Sequence, residues 1–283
     1  MLIVVVVVRI QVLNFEPMQS DSYKISVIIS TYDDRAFVEK KLAEVRDQTI
    51  FDQCEFIFIE SASPGKEREL LEPFCVANQN CCLIKLEERV TLYKSWNIGW
   101  SEARAPLVCI SNMDDTMHPR LLEFVALNMN SKKWDVATVL TAKQKLSEGT
   151  NTWHRDRIAK LDLSTRPGVF FAWRRELSSQ IGMFDESLSI VGDKDFWSKV
   201  LSANLRVGLI RKVLYLYTKH DGQLSKRTEF LEARDLENRI CEKKQYRYQW
   251  PSSIRRGVRI MRLFRKLPIL NKFYLKYIYP DGG

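Results

Sequence analysis

The chain has 283 residues, 45% of them hydrophobic and 28% charged, with a formal net charge of +9. That composition fits a globular chain with a sizeable core and excludes a disordered, collagen-like or disulfide-dense protein. The charge is lopsided, since from Lys243 onward eleven Lys or Arg accompany a single acid, whereas residues 1–242 carry 33 bases and 34 acids. A neutral body with a basic tail points to an anionic partner for the tail alone. With no recognised nucleic-acid motif, no nucleic-acid partner is expected. The six cysteines form no Cys-x-x-Cys pair and sit mostly in apolar runs, so they read as small buried hydrophobes of a reducing compartment.

Met1–Leu13 is a valine-rich run, too short to span a bilayer and without the basic region of a secretory signal. It is β-prone, fit to pair at a sheet edge or simply to be sticky. Residues 1–23 are read as a dispensable segment, with Met18 as an alternative start. Lys24–Ser30 is then a strand ending in Thr31-Tyr32-Asp33-Asp34, and Phe37, Val38, Lys41, Leu42 and Val45 follow helical spacing. Cys54–Glu60 is a second strand, broken at Ser61–Gly65 and followed by a helix over 66–77. Cys81–Leu86 is a third strand and Leu92–Arg104 a helix. Leu107–Ile110 reads as a strand buried on both faces that runs into Asn112, Asp114 and Asp115, with a helix from about Pro119 to Asn130.

Val136–Thr141 is another strand, and Lys143–Pro167 a long polar loop containing Trp153 and His154. Val169–Trp173 precedes a helix over 174–181, Gly182–Glu186 turns the chain, and Gly192 opens a helix to about Asn204. Val207–Ile210 and Val213–Tyr217 are two last strands, followed by His220. Strands alternating with helices imply an α/β fold with a mostly parallel central sheet flanked by helices. The chain divides into the N-terminal segment, a body over 24–240 and a basic tail over 241–283. No Gly-x-Gly-x-x-Gly, phosphate loop or Gly-x-Ser-x-Gly elbow occurs, which argues against a dinucleotide dehydrogenase, a P-loop kinase and an α/β-hydrolase.

Acids at the carboxyl end of a buried strand lie where open α/β sheets place their ligands. Adjacent carboxylates such as Asp114 and Asp115 repel unless a cation or water separates them, so they are candidate ligands of a divalent metal. The alternative is a solvated turn capping the next helix.

Four stretches together resemble the family-2 glycosyltransferases, in that family's order and over roughly residues 24–225. They are Ile28–Asp33, Phe58–Ser63, Asn97–Gly99 with Asn112–Asp115, and Gly182–Glu186 with Asp193–Trp197. The resemblance implies a GT-A type Rossmann-like fold. It also implies an inverting transfer of a sugar from a nucleoside diphosphate donor, usually with Mn²⁺ or Mg²⁺, to a glycan or lipid-linked acceptor in surface polysaccharide or glycolipid synthesis. Under it, Asp114, Asp115 and His220 are metal ligands; Thr31, Tyr32, Asp33, Glu60, Asn97 and Asn112 form the nucleotide site, uridine being the expected base. Asp193 is the catalytic base with Asp195 as its substitute, and Trp173 and Arg174 contact the acceptor.

Three departures stand out. Asn112 replaces a more usual Asp, Gly192 replaces the acid that often precedes the base, and Glu60 replaces a usual Asp. The first two keep open an alternative, a non-catalytic domain that binds a nucleotide sugar. For the base, N-capping of the following helix is the competing role of Asp193. The tail over 254–267 has basic residues gathered on one helical side, with Ile254, Val258, Met261 and Phe264 opposite, and aromatic residues follow to Tyr279. Such a tail suits an anionic membrane surface, and so a cytoplasmic protein peripheral on the inner face of the membrane. Packing on the protein's own surface is the other use of such a helix.

Overall fold

A computed structural model describes residues 10–13, 23–146, 153, 162–164, 169–226 and 228–243. The basic tail beyond Lys243, the alternative start at Met18 and His154 lie outside the described residues. One ten-stranded sheet runs through the molecule. Its strands are β1 (Ile10–Leu13), β2 (Ile25–Thr31), β3 (Cys54–Ser61), β4 (Cys81–Leu86), β5 (Leu107–Ile110), β6 (Thr116–Met117), β7 (Val136–Lys145), β8 (Asp162–Ser164), β9 (Phe171–Arg174) and β10 (Val207–Lys219). The spatial order is β1-β4-β3-β2-β5-β9-β7-β10-β6, with β8 paired to β7.

β4, β3, β2 and β5 are parallel neighbours, the connections being α1 (Arg35–Arg46), α2 (Arg68–Ala77) and α3 (Leu92–Glu102). The rest of the sheet is mixed. β9 is antiparallel to β5 and β7, β10 is parallel to β7, and β6 is antiparallel to β10. The chain steps outward from β2 to β3 and β4, then returns to place β5 on the other side of β2. That reversal opens a crevice at the carboxyl ends of β2 and β5, the usual ligand position in such sheets.

Because successive strand residues face opposite ways, β2 and β3 feed two cores. Val27, Ile29, Phe56 and Phe58 pack with α1, α2 and α4 (Leu121–Ser131) on one face. Ile28, Ile57 and Ile59 pack on the other with α3, α6 (Gly192–Ser202) and Cys241 of α7 (Thr228–Lys243). Helix α3 starts where Thr91 Oγ1 accepts the Lys94 amide at 3.2 Å, and it buries Tyr93, Trp96 and Trp100, a helical stripe. Gly99 lets α3 approach β2, since a Cβ there would lie 2.6 Å from Ile28 Cγ2.

Several expected elements change form. Val207–Ile210 and Val213–Tyr217 are one strand, because Arg211-Lys212 is accommodated by register irregularities against β7 and not by a turn. The helix expected over 174–181 is a 3-10 turn over Arg175–Leu177 and a single four-residue turn, α5 (Ser178–Ile181). The helix expected from Pro119 starts at Leu121, preceded by the unexpected strand β6. Its N-cap is Arg120, so the Asp114–Asp115 turn does not cap it. Helix α7, read from no sequence pattern, crosses the expected boundary at 240. Ile10–Leu13 does pair at the sheet edge, against β4. All six cysteines are buried and outside any disulfide, and burial pushes the thiols of Cys54 and Cys75 up to about 12.

Candidate active site

A cavity of 270 Å³ opens at the β2–β5 crevice, and its walls include Thr31, Tyr32, Asp34, Asn112, Asp114, Asp193 and His220. The acidic turn is held there by a buried network. Lys41, fully buried on α1, donates to Ser111 Oγ (3.1 Å) and to the Asp115 carbonyl (2.9 Å), and it faces Glu44 at 3.4 Å. The Tyr215 hydroxyl on β10 accepts the Asn112 amide at 3.0 Å.

Asp115 belongs to that scaffold. It is fully buried, with Oδ1 accepting the Thr218 amide (2.9 Å) and Oδ2 accepting Asn112 Nδ2 (3.0 Å). Burial first, then the nearby Asp114 charge, pushes its carboxyl well above the usual range. Asp115 therefore ties the turn to β10 and does not line the cavity, contrary to its expected part as a metal ligand.

Pairing of β6 with β10 carries the end of β10 past this turn, which is how His220 arrives beside a residue 106 positions earlier. Its Nε2 lies 2.8 Å from Asp114 Oδ2, and the ring packs on Phe37 with centroids 5.0 Å apart. Two ligands on adjacent corners of an octahedral ion, each about 2.1 Å from it, stand about 3 Å apart, so this pair fits the edge of a metal site. Asn112 gives one side-chain N–H to Asp115, which leaves its second N–H and its carbonyl oxygen to offer. Among the described residues no three His, Cys, Asp or Glu side chains form a metal-holding group by themselves. Oxygens of a diphosphate are the natural complement to so sparse a set.

Thr31 and Tyr32 also line the cavity, but Asp33 does not. Asp33 has a left-handed backbone (φ 62°) and gives its amide to Ser63 Oγ at 2.8 Å, and Asp34 takes the place in the cavity. Burial raises the Asp34 carboxyl to about 7, helped by the charges of Asp114 and Glu67. The Arg89 guanidinium lies 4.0 Å from the centre of the Tyr32 ring, and both residues line the cavity. Asp34 was legible only as the second half of an Asp-Asp pair. Arg89 carried no sequence signal, because its nearness to Tyr32 depends on β4 lying two strands from β2.

Asp193, also lining the cavity, stands in the first turn of α6, with Tyr93 Oη donating to its Oδ1 at 3.4 Å. Burial raises its carboxyl to about 6. It is not the N-cap; that residue is Val191, whose side chain makes no cap bond. Gly192 is required by this packing, since a Cβ would lie 2.6 Å from the Tyr93 ring.

Five other expected site residues, besides Asp115 and Asp33, sit outside the cavity, and each has a structural partner. Glu60 is fully buried, accepts the Ser63 amide and pairs with Arg68. Asn97 clips the Gly182–Glu186 turn to α3, its amide group donating to the Phe184 carbonyl (2.9 Å) and accepting from the Phe184 amide (3.0 Å). Asp195, two residues or roughly 200° round the helix from Asp193, is fully buried and paired with Lys199 at 2.9 Å. Trp173 is fully buried among Trp100, Phe171, Phe184 and Phe196. Arg174 is likewise elsewhere. It pairs with Leu107 at the amino end of β5, opposite the crevice, and its guanidinium faces Asp135 at 3.8 Å. His118 is also buried, bonded to the Arg120 amide and packed edge-on against Trp153.

Residues 26–188 match the family described as glycosyl transferase family 2, more than half of the chain. The chain belongs to that family. It is a glycosyltransferase of GT-A fold, although the matched segment ends before Asp193 and His220. An uncharacterized glycosyltransferase of Methanocaldococcus jannaschii is 21% identical over 222 residues, 74% of this chain and 76% of that one. Among solved structures, Staphylococcus aureus TarS (residues 1–349, in complex with UDP-GlcNAc) superposes with a TM-score of 0.59 at 20% identity. That match covers 75% of this chain and 64% of the TarS chain, so this family member spans less than two thirds of that relative. A mannosyltransferase of Pyrobaculum calidifontis, in complex with GDP-Man and Mn²⁺, gives 0.58 at 15% identity over 93% of this chain and 76% of its own. Among the described residues no helix is long and apolar enough to cross a membrane.

Proposed function

We propose that the protein is an inverting, metal-dependent glycosyltransferase. It moves a sugar from a nucleoside diphosphate donor, a UDP-sugar first among them, to a glycan or lipid-linked acceptor in surface polysaccharide or glycolipid synthesis. The observation that carries this reading is that one cavity is lined by the Asp114–His220 pair, by Asp193 and by the strand-end residues Thr31 and Tyr32. Thr31 and Tyr32 hold the nucleoside, with Arg89 bracing the Tyr32 ring. Asp114 and His220, with the Asn112 carbonyl, hold a divalent cation, Mn²⁺ suiting an imidazole ligand better than Mg²⁺. That cation supplies Lewis-acid neutralisation of the diphosphate leaving group. Asp115, Asp33, Glu60, Asn97, Asp195, Trp173 and Arg174 are scaffold in this reading.

Asp193 takes the proton of the acceptor hydroxyl as its oxygen bonds to the anomeric carbon. The carbon–oxygen bond to the diphosphate breaks on the opposite face, and its electron pair leaves with the nucleotide, so the anomeric centre inverts. A carboxylate whose pKa is raised toward neutrality is a better-matched base than an exposed one. The protein works on the inner face of the membrane, the basic segment 254–279 supplying attraction to anionic lipid.

A thermal-shift screen of UDP, GDP, UDP-GlcNAc and GDP-mannose with and without Mn²⁺ tests donor binding, since a ligand of the folded state raises its melting temperature. Nucleotide release from the selected donor tests catalysis. Release lost in Asp114→Ala and in Asp193→Ala supports the proposal, whereas binding without release in the wild type supports the non-catalytic alternative.

A further inference from the structure

We propose that Glu237, on α7 and beyond the family match, is a positioning residue for Asp193. Its carboxylate accepts three successive backbone amides, those of Ser189 (2.7 Å), Ile190 (2.9 Å) and Val191 (3.1 Å). Ser189 and Ile190 line the cavity, and Val191 is the residue from which α6 springs. Val191 is the N-cap position of α6, so Glu237, from a helix 46 residues further on, grips the backbone that leads into the helix, and a negative charge there also suits the helix dipole.

The geometry connects this contact to the base. The first backbone bond of α6 runs from the Asp195 amide to the Val191 carbonyl (3.0 Å), so the register of the turn that carries Asp193 is set by residue 191. Lys194 donates to Asn238 Oδ1 at 2.8 Å, a second tie from the residue after the base to the residue after Glu237. Apolar packing of α7 is thin by comparison. Leu231, Leu236 and Ile240 are exposed, and among its described residues only Cys241 joins the core cluster. The polar contact therefore holds α7 and the cavity wall together. Glu237 does not line the cavity, and its influence passes through the 189–191 backbone.

This inference rests on Asp193 being the base, and the test separates the two. Full-length Glu237→Ala and Glu237→Gln are compared with wild type and Asp193→Asn by hydrogen exchange over 189–195, by UDP affinity with Mn²⁺, and by nucleotide release from UDP-GlcNAc or GDP-mannose, whichever donor stabilises the protein. In Glu237→Ala the amides of 189–191 should exchange faster while β2 and β3 stay protected. Its kcat should fall about 10²-fold, the scale of a misplaced reacting group, with UDP affinity changed less than twofold. Glu237→Gln keeps one acceptor oxygen, enough for the Ile190 and Val191 amides, but turns an NH2 toward the Ser189 amide, so its kcat and exchange should fall between those of wild type and Glu237→Ala. An unchanged kcat in Glu237→Ala, a parallel loss of UDP affinity, or a Gln variant no better than Ala would overturn the assignment. If the Ala variant does not fold, Glu237→Gln decides: faster exchange at 189–191 with a lowered kcat supports the assignment, and wild-type values for both overturn it. Wild-type turnover in Asp193→Asn would remove the base reading and this inference with it. Slow Asp193→Asn beside full-speed Glu237→Ala would remove this inference alone.

Discussion

Lowering the pH from 7 to 5 should switch the enzyme off through Asp193. Burial raises this carboxyl from 3.8 to about 6. A general base works only when ionised, so kcat should follow the ionised fraction, about nine-tenths at pH 7, half at pH 6 and one-tenth at pH 5. An aspartate at 3.8 would still be about nine-tenths ionised at pH 5, so the two cases differ roughly tenfold there. The groups facing Asp193 are the Tyr93 hydroxyl, which favours the ionised form, and Lys194 in its own turn. Tyr93→Phe removes the favourable hydrogen bond and should move the acid limb upward. The assay is nucleotide release at saturating donor and Mn²⁺ from pH 4.5 to 8. Donor affinity measured at each pH keeps the separate titration of Asp34, raised to about 7, out of the kcat profile. Asp193→Asn should lose about 10²–10⁴ in kcat. A flat wild-type profile between pH 5 and 7 would refute the reasoning, and so would an acid limb that survives in Asp193→Asn.

The scaffold assignments give further outcomes. Lys41→Met breaks a fully buried ion pair under the acidic turn and should cost about 3–5 kcal/mol in urea unfolding, part of it restored by adding Glu44→Gln. Trp173→Phe should lower stability by about 1–3 kcal/mol while leaving UDP affinity and donor KM within twofold, because its ring is buried in the apolar core and does not line the cavity. Gly99→Ala pushes a methyl into Ile28 and should cost about 1–3 kcal/mol, read as a lower melting temperature with no change in nucleotide preference.

Local patterns located most elements because they depend on near neighbours. Apolar runs bounded by polar turns found β4 and β5 at their observed limits, and α3 lies within the helix read over Leu92–Arg104. The same locality explains the errors. Arg211-Lys212 looks like a turn to any local rule, and only pairing with β7 shows the strand continuing through it. Helix α7 exposes Leu231, Leu236 and Ile240, so it lacked the apolar stripe by which a helix is recognised.

For the site, the sequence by itself determined that Asp114 and Thr31-Tyr32 close buried strands and that such ends meet in a crevice, because alternating strands and helices force a parallel arrangement. It did not determine which of several adjacent acids face that crevice. Asp33 against Asp34, Asp114 against Asp115 and Asp193 against Asp195 differ by one or two positions, and in each pair a longer-range partner decides. The Ser63 hydroxyl fixes the Asp33 backbone, the Thr218 amide captures Asp115, and Lys199 together with the helical angle withdraws Asp195. His220 beside Asp114, Arg89 against Tyr32 and Glu237 under the Asp193 turn are tertiary facts altogether. Each joins residues far apart in the chain, and only the sheet order and the docking of α7 bring them within bonding distance.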